Sequence, residues 1–595
     1  MAGASTDAHA HGAEVSTIMP IAKRTRKTPS QASKESAGLN AFSMHMFDES
    51  SSRTKAKLRG EQAEYMGLAL PATLSTTSAD AETIARGYLQ QALDSASLPS
   101  FTAPASDGGA TEFKSLGTET IPLTGTTTVK FRQTVNKIPL YGSLITVELD
   151  EHNSLVSLNS VLGQPTGVNP VATVSPADAV KTVAERAGGK KQLSDIVPRM
   201  HFYFDPKGSK WRLVYILENV PLGTAPAKKP GGRSADLERP HFMDYVVDAH
   251  SGKVVAELPR TPSMASTVQQ AADGLGVVRK IRVEKTGNGA VLKDSAVNVA
   301  TYDFDFRDPT TQQSSLPGKA IKNPPKWSPA AVSAHANAVS VAEFMRDVLR
   351  RNNIDNKGGP MISTVNCVVA TASHKPKEWL NAFWSPGLHQ MVYGQAVTAT
   401  GLRSLSINVD VVAHEMFHGV TDSTSRLEYA LQPGALNESH SDIFGIIVSN
   451  VGEPDARKWN WELGEGLIDG VAALRDMSDP KRFGQPAHMD DFKVLPNTYP
   501  GDWGGVHTNS GIHNKAAYNM LTGEDSAGNL VLTPVEVAAV FYLSLTQQLS
   551  RTSQFIDSRR GVVTSALTLF RNLSDKERKA KIAVIERSFE KVGIR

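Results

Sequence analysis

Cysteine is almost missing: the chain has one in 595 residues, Cys367. No disulfide can close within it, so its folded state has to rest on packed cores. Cys367 sits in the apolar, β-prone run STVNCVVATA and reads as a buried, unreactive thiol. No apolar run reaches the roughly 18 residues that a membrane-spanning helix needs. The N-terminal MAGASTDAHAHGAEVSTIMPIAKRTRK lacks an apolar segment after its basic residues, so no secretory signal peptide is expected there. An excess of one charge is lacking too. The 63 basic residues stand against 60 acidic ones, a net charge of +3, which points away from nucleic acid or an anionic membrane as partner.

What remains is ordinary globular composition, 40% hydrophobic and 21% charged, in a chain too long for one core. Residues 1–60 are rich in Ser, Ala, Lys and Thr and read as a flexible tail; AKRTRK at 22–27 reads as a solvated basic stretch, and HAHG at 9–12 lacks nearby ligands. From 61 to 258 the pattern is a helix, AETIARGYLQQAL, then alternating strands, then a second helix opened by Ser175-Pro176, then more strands. No catalytic constellation occurs there. Residues 259–274, PRTPSMASTVQQAADG, read as a linker. Beyond it a β-rich region gives way to helical patterns, beginning at SPAAVSAHANAVSVAEF and dominating after residue 410.

Where these regions meet stands VVAHEMFHGVTD, Val411 to Asp422. On a helix His414 and His418 share a face and can hold one Zn²⁺. Glu415 lies about 100° further round, too far to be a ligand but placed to take a proton from a water at the metal. Downstream, Pro433-Gly434 are expected to break the chain before a helix that carries Glu438 as third ligand. Asp442, four residues on, could orient a ligating histidine.

These residues resemble the thermolysin-like family of zinc metalloendopeptidases. The resemblance rests on HExxH, a glutamate twenty residues past the second histidine in GALNESHSD, NAFW at 381–384, LRDMSDP at 474–480 and DWGGVHTNSGIHNKAAY at 502–518. It covers about 265–595 and implies an α+β fold. A β-rich N-terminal lobe (275–420) would end in the zinc helix, followed by a helical C-terminal lobe (421–595). It further implies that His414, His418 and Glu438 bind zinc and that Glu415 is the general base. His507 and Tyr429 would stabilise the oxyanion, and Asp502 would hold His507. Asp442 and Asn437 would orient the two ligating histidines. Arg475 would contact a substrate carbonyl, while Asn381 and Ala382 offer an edge to the peptide. Leu405, Val411, Leu463 and Leu474 would line a pocket for a bulky apolar residue after the scissile bond.

Asp410, Glu462 and Glu465 match calcium ligands of the family. Ser449 and Asn460 stand where carboxylates are usual, so one structural Ca²⁺ rather than a pair is expected. Residues 61–170 resemble the thermolysin propeptide and 171–258 a PepSY-like propeptide region, together an α+β propeptide. The chain is then a zymogen whose own propeptide assists folding and inhibits, a monomer once mature, acting on polypeptides. The resemblance implies secretion; the absent signal leaves a cytoplasmic enzyme as the alternative. A non-catalytic zinc-binding or adhesion protein on the same fold would be expected to lose Glu415 or His507, and both are present.

Overall fold

The computed structural model describes residues 39–45, 55–58, 61–64, 80–95 and 111–595, apart from 166, 188–195, 206, 222–241, 260–267, 287–288, 310–314, 324–325, 370–374 and 386. The stretches at 9–12 and 22–27 lie outside the described residues. Residues 1–60 are not tail throughout. Leu39–His45 forms a strand antiparallel to Leu155–Gly163, and Lys55–Leu58 pairs with Glu61–Glu64. A composition poor in apolar residues hid these elements, because their backbone pairing is with sequence more than 100 residues away or needs only four residues a side.

The first N-terminal sheet runs in the order 39–45, 155–163, 144–149, 126–135, 111–121. Helix Ala81–Ser95 covers it through Ile84, Ala85, Tyr88, Leu89, Ala92 and Leu93, the spacing of one helical face. These pack on Val129, Phe131, Ile145, Val147 and Leu158, which alternate with residues on the opposite face of the sheet. A second, four-stranded sheet runs 254–259, 242–248, 210–221, 199–205, with helix Pro176–Ala187 laid on it through Ala179, Val183 and Ala187. Residues 259–274 are not all linker. Pro259 ends a strand of this sheet, whereas Val268–Ala272 pairs with Val278–Arg282 in the following lobe.

That lobe holds a mixed seven-stranded sheet. Its strands Val299–Arg307, Met361–Cys367 and Gln390–Thr398 lie parallel, and Trp379–Ser385 runs antiparallel along one edge. Cys367 is fully buried in it, and burial pushes its thiol well up. Helix Pro329–Asp347 starts on Ser328, whose side chain accepts from the Ala331 amide. Helices Val409–Ser423, Leu431–Ser449, Asp502–Leu521, Pro534–Leu543, Phe555–Leu569 and Asp575–Glu590 then build the C-terminal lobe. Helix Leu431–Ser449 begins before Pro433-Gly434 rather than after it. Proline in a first turn costs no hydrogen bond. Gly434 is needed there because a Cβ would fall 2.4 Å from Val506 and 2.9 Å from the Tyr429 backbone.

One place where the N-terminal sheets dock on the C-terminal lobe is a turn of main chain. Pro534–Leu543 continues into a π-helical turn, Ser544–Gln548, whose carbonyls point outward. Lys130 Nζ donates to the Thr546 carbonyl at 2.9 Å, Thr146 Oγ1 to that of Gln547 at 2.9 Å, and Asn159 Nδ2 to that of Gln548 at 3.1 Å. Beside them Arg551 pairs with Glu218 at 2.7 Å, and Arg426 with the same carboxylate at 3.2 Å.

Helix Val409–Ser423 seats against the sheet through Gly419, where a Cβ would stand 2.1 Å from the Trp384 ring. Trp384 is fully buried and cannot yield. Gly419→Ala should therefore destabilise the catalytic region by about 1–3 kcal/mol through overpacking. A thermal midpoint lowered by several degrees in scanning calorimetry is the expected result, and an unchanged midpoint would show that the helix can shift.

Candidate active site

The two central helices bring three ligand atoms together. His414, His418 and Glu438 are the one group of three His, Cys, Asp or Glu side chains among the described residues whose ligand atoms lie within 4.8 Å of one another. The Nε2 atoms of His414 and His418 are 3.0 Å apart; Glu438 Oε2 is 3.5 Å from the first and Oε1 is 3.4 Å from the second. Glu438 is 1% exposed, and its Oε2 has no hydrogen-bond partner in the structure. A buried carboxylate oxygen left without a donor, facing two imidazole nitrogens, fits a divalent metal of zinc's ligand preference.

The outer nitrogens are committed. His414 Nδ1 is 2.8 Å from Asp442 Oδ1, and His418 Nδ1 is 2.8 Å from Asn437 Oδ1. Both bonds fix the ring so that Nε2 faces inward. Ser441 Oγ also lies 3.1 Å from His418 Nδ1, a partner the sequence did not announce. Asp442 Oδ1 accepts from Arg475 through Nε at 3.1 Å and Nη2 at 2.8 Å, so this arginine is first of all an anchor for Asp442. Burial pulls the pKa of His418 down to about 4, which keeps the imidazole neutral as a ligand must be. Burial alone would raise Glu438, but His507, His418, His414 and Arg475 around it outweigh that and hold the carboxyl well below its usual range.

Glu415 is not one of the three converging ligands; it accepts the Trp384 amide through Oε2 at 3.0 Å. Burial pushes its carboxyl up to about 7. Across the site the Tyr429 hydroxyl donates to Glu438 Oε1 and lies 3.0 Å from His507 Nε2. His507 Nδ1 is 2.6 Å from Asp502 Oδ1, while Asp502 Oδ2 accepts from the amide and hydroxyl of Thr508, each at 3.0 Å. This geometry needs a left-handed turn at Asp502, Trp503, Gly504 and Gly505, with φ of 53°, 47°, 88° and 85°. DWGG supplies two glycines for it; Trp503 is forced, and packs against the core of the second N-terminal sheet. Gln485 Nε2 donates to the His507 carbonyl at 2.6 Å, a support sequence reading missed.

Trp379–Ser385 ends the sheet order, so Asn381 and Ala382 lie on an edge strand. Leu405 and Val411 pack together with Ile407 and Leu467, against Ala382. The last two aliphatic residues of that cluster were not foreseen, because they come from a 3₁₀ turn and a loop without periodicity. Leu463 instead belongs to the main core, and Leu474 is 40% exposed. The expected calcium residues do not converge as the zinc ligands do. Asp410 accepts the amides of Val411 and Gly464, Glu462 pairs with Arg482, and Glu465 accepts from Asn460. As placed they make no cage of the six to eight oxygens that Ca²⁺ takes.

Family profiles agree with the geometry. Residues 269–422 match the thermolysin metallopeptidase catalytic domain, 425–594 its alpha-helical domain, and 111–161 the fungalysin/thermolysin propeptide motif. Bacillolysin of Bacillus amyloliquefaciens is 31% identical over 461 residues, spanning 73% of this chain and 78% of that protein. The chain belongs to the thermolysin family of metallopeptidases. Neutral protease NprE of Bacillus pumilus is 36% identical over 314 residues, 50% of this chain and 94% of that one. Among solved structures, the precursor of protealysin, a metalloproteinase from Serratia proteamaculans, aligns with a TM-score of 0.40 at 30% identity, covering 50% of this chain and 87% of that chain. This family member is thus a metalloendopeptidase preceded by a propeptide, and its metal is zinc.

One equivalent of zinc per chain is expected by atomic emission on purified protein. Glu438→Ala should abolish it, and Asn437→Ala should weaken zinc roughly 10–100-fold in a chelator competition, the usual effect of removing the partner of a ligating histidine. Zinc retained at full stoichiometry by Glu438→Ala would remove that residue from the ligand set.

Proposed function

We propose that Glu415 takes a proton from the attacking water and passes it to the leaving amine, while His507 and Tyr429 donate to the oxyanion. The observation behind this reading is that Glu415 and the Tyr429–His507 pair flank one buried ligand cluster, on separate elements. Zinc held by His414, His418 and Glu438 supplies a Lewis acid and an acidified water. A carboxyl raised to about 7 can hold a proton between two transfers near neutral pH. Asp502 at 2.6 Å favours the cationic form of His507, whose Nε2–H then donates. The peptide adds as a strand along Asn381 and Ala382, and Arg475, besides holding Asp442, contacts a substrate carbonyl. The residue after the scissile bond enters the apolar pocket of Leu405, Val411, Ile407 and Leu467, with Leu474 at its rim. A single methylene there is worth about 1–3 kcal/mol, so selectivity for large apolar residues is broad.

The N-terminal sheets, one thermolysin-propeptide-like (61–170) and one PepSY-like (171–258), form the prodomain, and autocatalytic cleavage between Leu258 and Gly274 releases a secreted, monomeric enzyme. Strand pairing from Val268 onward supports a cut before that residue. A single calcium at Asp410, Glu462 and Glu465 is a proposal of the family resemblance alone. A higher thermal midpoint in millimolar calcium, with zinc saturating, supports it, and no change discards it.

Glu415→Gln keeps shape and zinc but cannot take the proton. Its kcat on a peptide substrate should fall roughly 10²–10⁴-fold, and more than a tenth of the wild-type value would mean that another group is the base. The same variant should stay at full length, 64.0 kDa, while wild type yields a fragment whose N-terminal sequence begins between 259 and 274. A fully active, uncleaved wild-type chain refutes the zymogen reading.

A further inference from the structure

Behind the metal ligands runs a line of hydrogen bonds that crosses four helices and that the chemistry above does not use. Asp442 gives Oδ1 to His414, and its Oδ2 accepts from Asn514 Nδ2 at 2.8 Å. Asn514 Oδ1 accepts from Ser439 Oγ at 2.6 Å. Ser439 Oγ lies 2.7 Å from His513 Nδ1, and His513 Nε2 lies 2.8 Å from Ser558 Oγ. Ser439, His513 and Ser558 are fully buried, and Asn514 is 1% exposed.

The directions of these bonds follow from valence and from the neutrality of one buried ring. A carboxylate only accepts, so Asn514 turns its NH₂ to Asp442 and its carbonyl to Ser439. Ser439 has one proton and gives it to that carbonyl, so its oxygen must accept from His513 Nδ1–H. Burial keeps His513 neutral, so its Nε2 carries the lone pair and accepts from Ser558. Every proton from Ser558 onward therefore points towards Asp442. The ring of His513 is set among Phe541, Phe555 and Phe589, with centroids 5.6, 5.9 and 5.8 Å away. Three of its ring neighbours are apolar, and a histidine is buried among them only with both nitrogens bonded.

We infer that Asn514, Ser439, His513 and Ser558 are positioning residues for the zinc ligand His414. Their aligned bonds commit the far oxygen of Asp442, so that its near oxygen, anchored by Arg475, stays turned to His414 and holds it as the Nδ1–H tautomer, with the Nε2 lone pair free for the metal. The inference rests on the reading of His414 as a ligand. Asn514 acts on Asp442 directly; Ser439, His513 and Ser558 act by polarising and orienting Asn514.

The test is the rate of zinc release into a chromophoric chelator, with full-length protein carrying Glu415→Gln so that no variant is cleaved. Asn514→Asp, isosteric but turning an acceptor on Asp442, should speed release at least tenfold. Ser439→Ala and His513→Phe leave the direct partners of Asp442 in place and should speed it two- to tenfold. Val562→Ala, a core truncation on the helix that carries Ser558, should lower the thermal midpoint yet leave release within twofold of the parent. If Asn514→Asp does not fold, Ser439→Ala and His513→Phe decide. Release within twofold of the parent in both, or Val562→Ala releasing zinc as fast as they do, overturns the inference and leaves the line as core packing. A parent protein that holds no zinc at the start would instead refute the ligand assignment.

Discussion

Glu438 is the carboxylate on which this catalytic region turns. It stands 1% exposed at the meeting of three imidazoles, a guanidinium and a phenol, and a charge so deeply placed is tolerable only with its compensating partners present. Those partners come from separate parts of the chain: the HExxH helix, the Tyr429 segment, Arg475 and His507. Packing helix Leu431–Ser449 on helix Val409–Ser423 is thus also the step that assembles the site. The glycines at 419 and 434 are there because bulk at either would hold the elements apart.

What could be read in advance followed from how local each feature is. His414 and His418 are neighbours by helical periodicity alone, so their pairing needed no fold. Glu438 and Asp442 shared a face on the same argument, although the start of their helix was misplaced by a proline that a first turn accepts. His507, Asp502 and Tyr429 were singled out only through resemblance, and the structure sets all three within one hydrogen-bonded group. Ile407, Leu467, Gln485 and Ser441 carried no signal, since each acts through a contact between distant segments. The strand at 39–45 escaped for the same reason: its pairing is with residues 157–163.

The second N-terminal sheet touches the catalytic region at two places. Glu218 bridges Arg551 and Arg426, three residues before Tyr429. Trp503, held left-handed beside Asp502, inserts into the packing of the second N-terminal sheet. Backbone strain at a bulky residue persists only where its surroundings over-determine it, and here part of those surroundings belongs to the second N-terminal sheet.

The π-helical turn at 544–548 has an evolutionary consequence. Three of the contacts that seat the prodomain end on its main-chain carbonyls rather than on side chains. Peptide oxygens are the same whatever residue bears them, so Thr546, Gln547 and Gln548 can drift in identity while these acceptors stay in place. The constraint moves to the other partner: Lys130, Thr146 and Asn159 must keep a donor, and the turn must keep its shape. Recognition of this kind ties the N-terminal sheet to the backbone path of the turn rather than to its side chains.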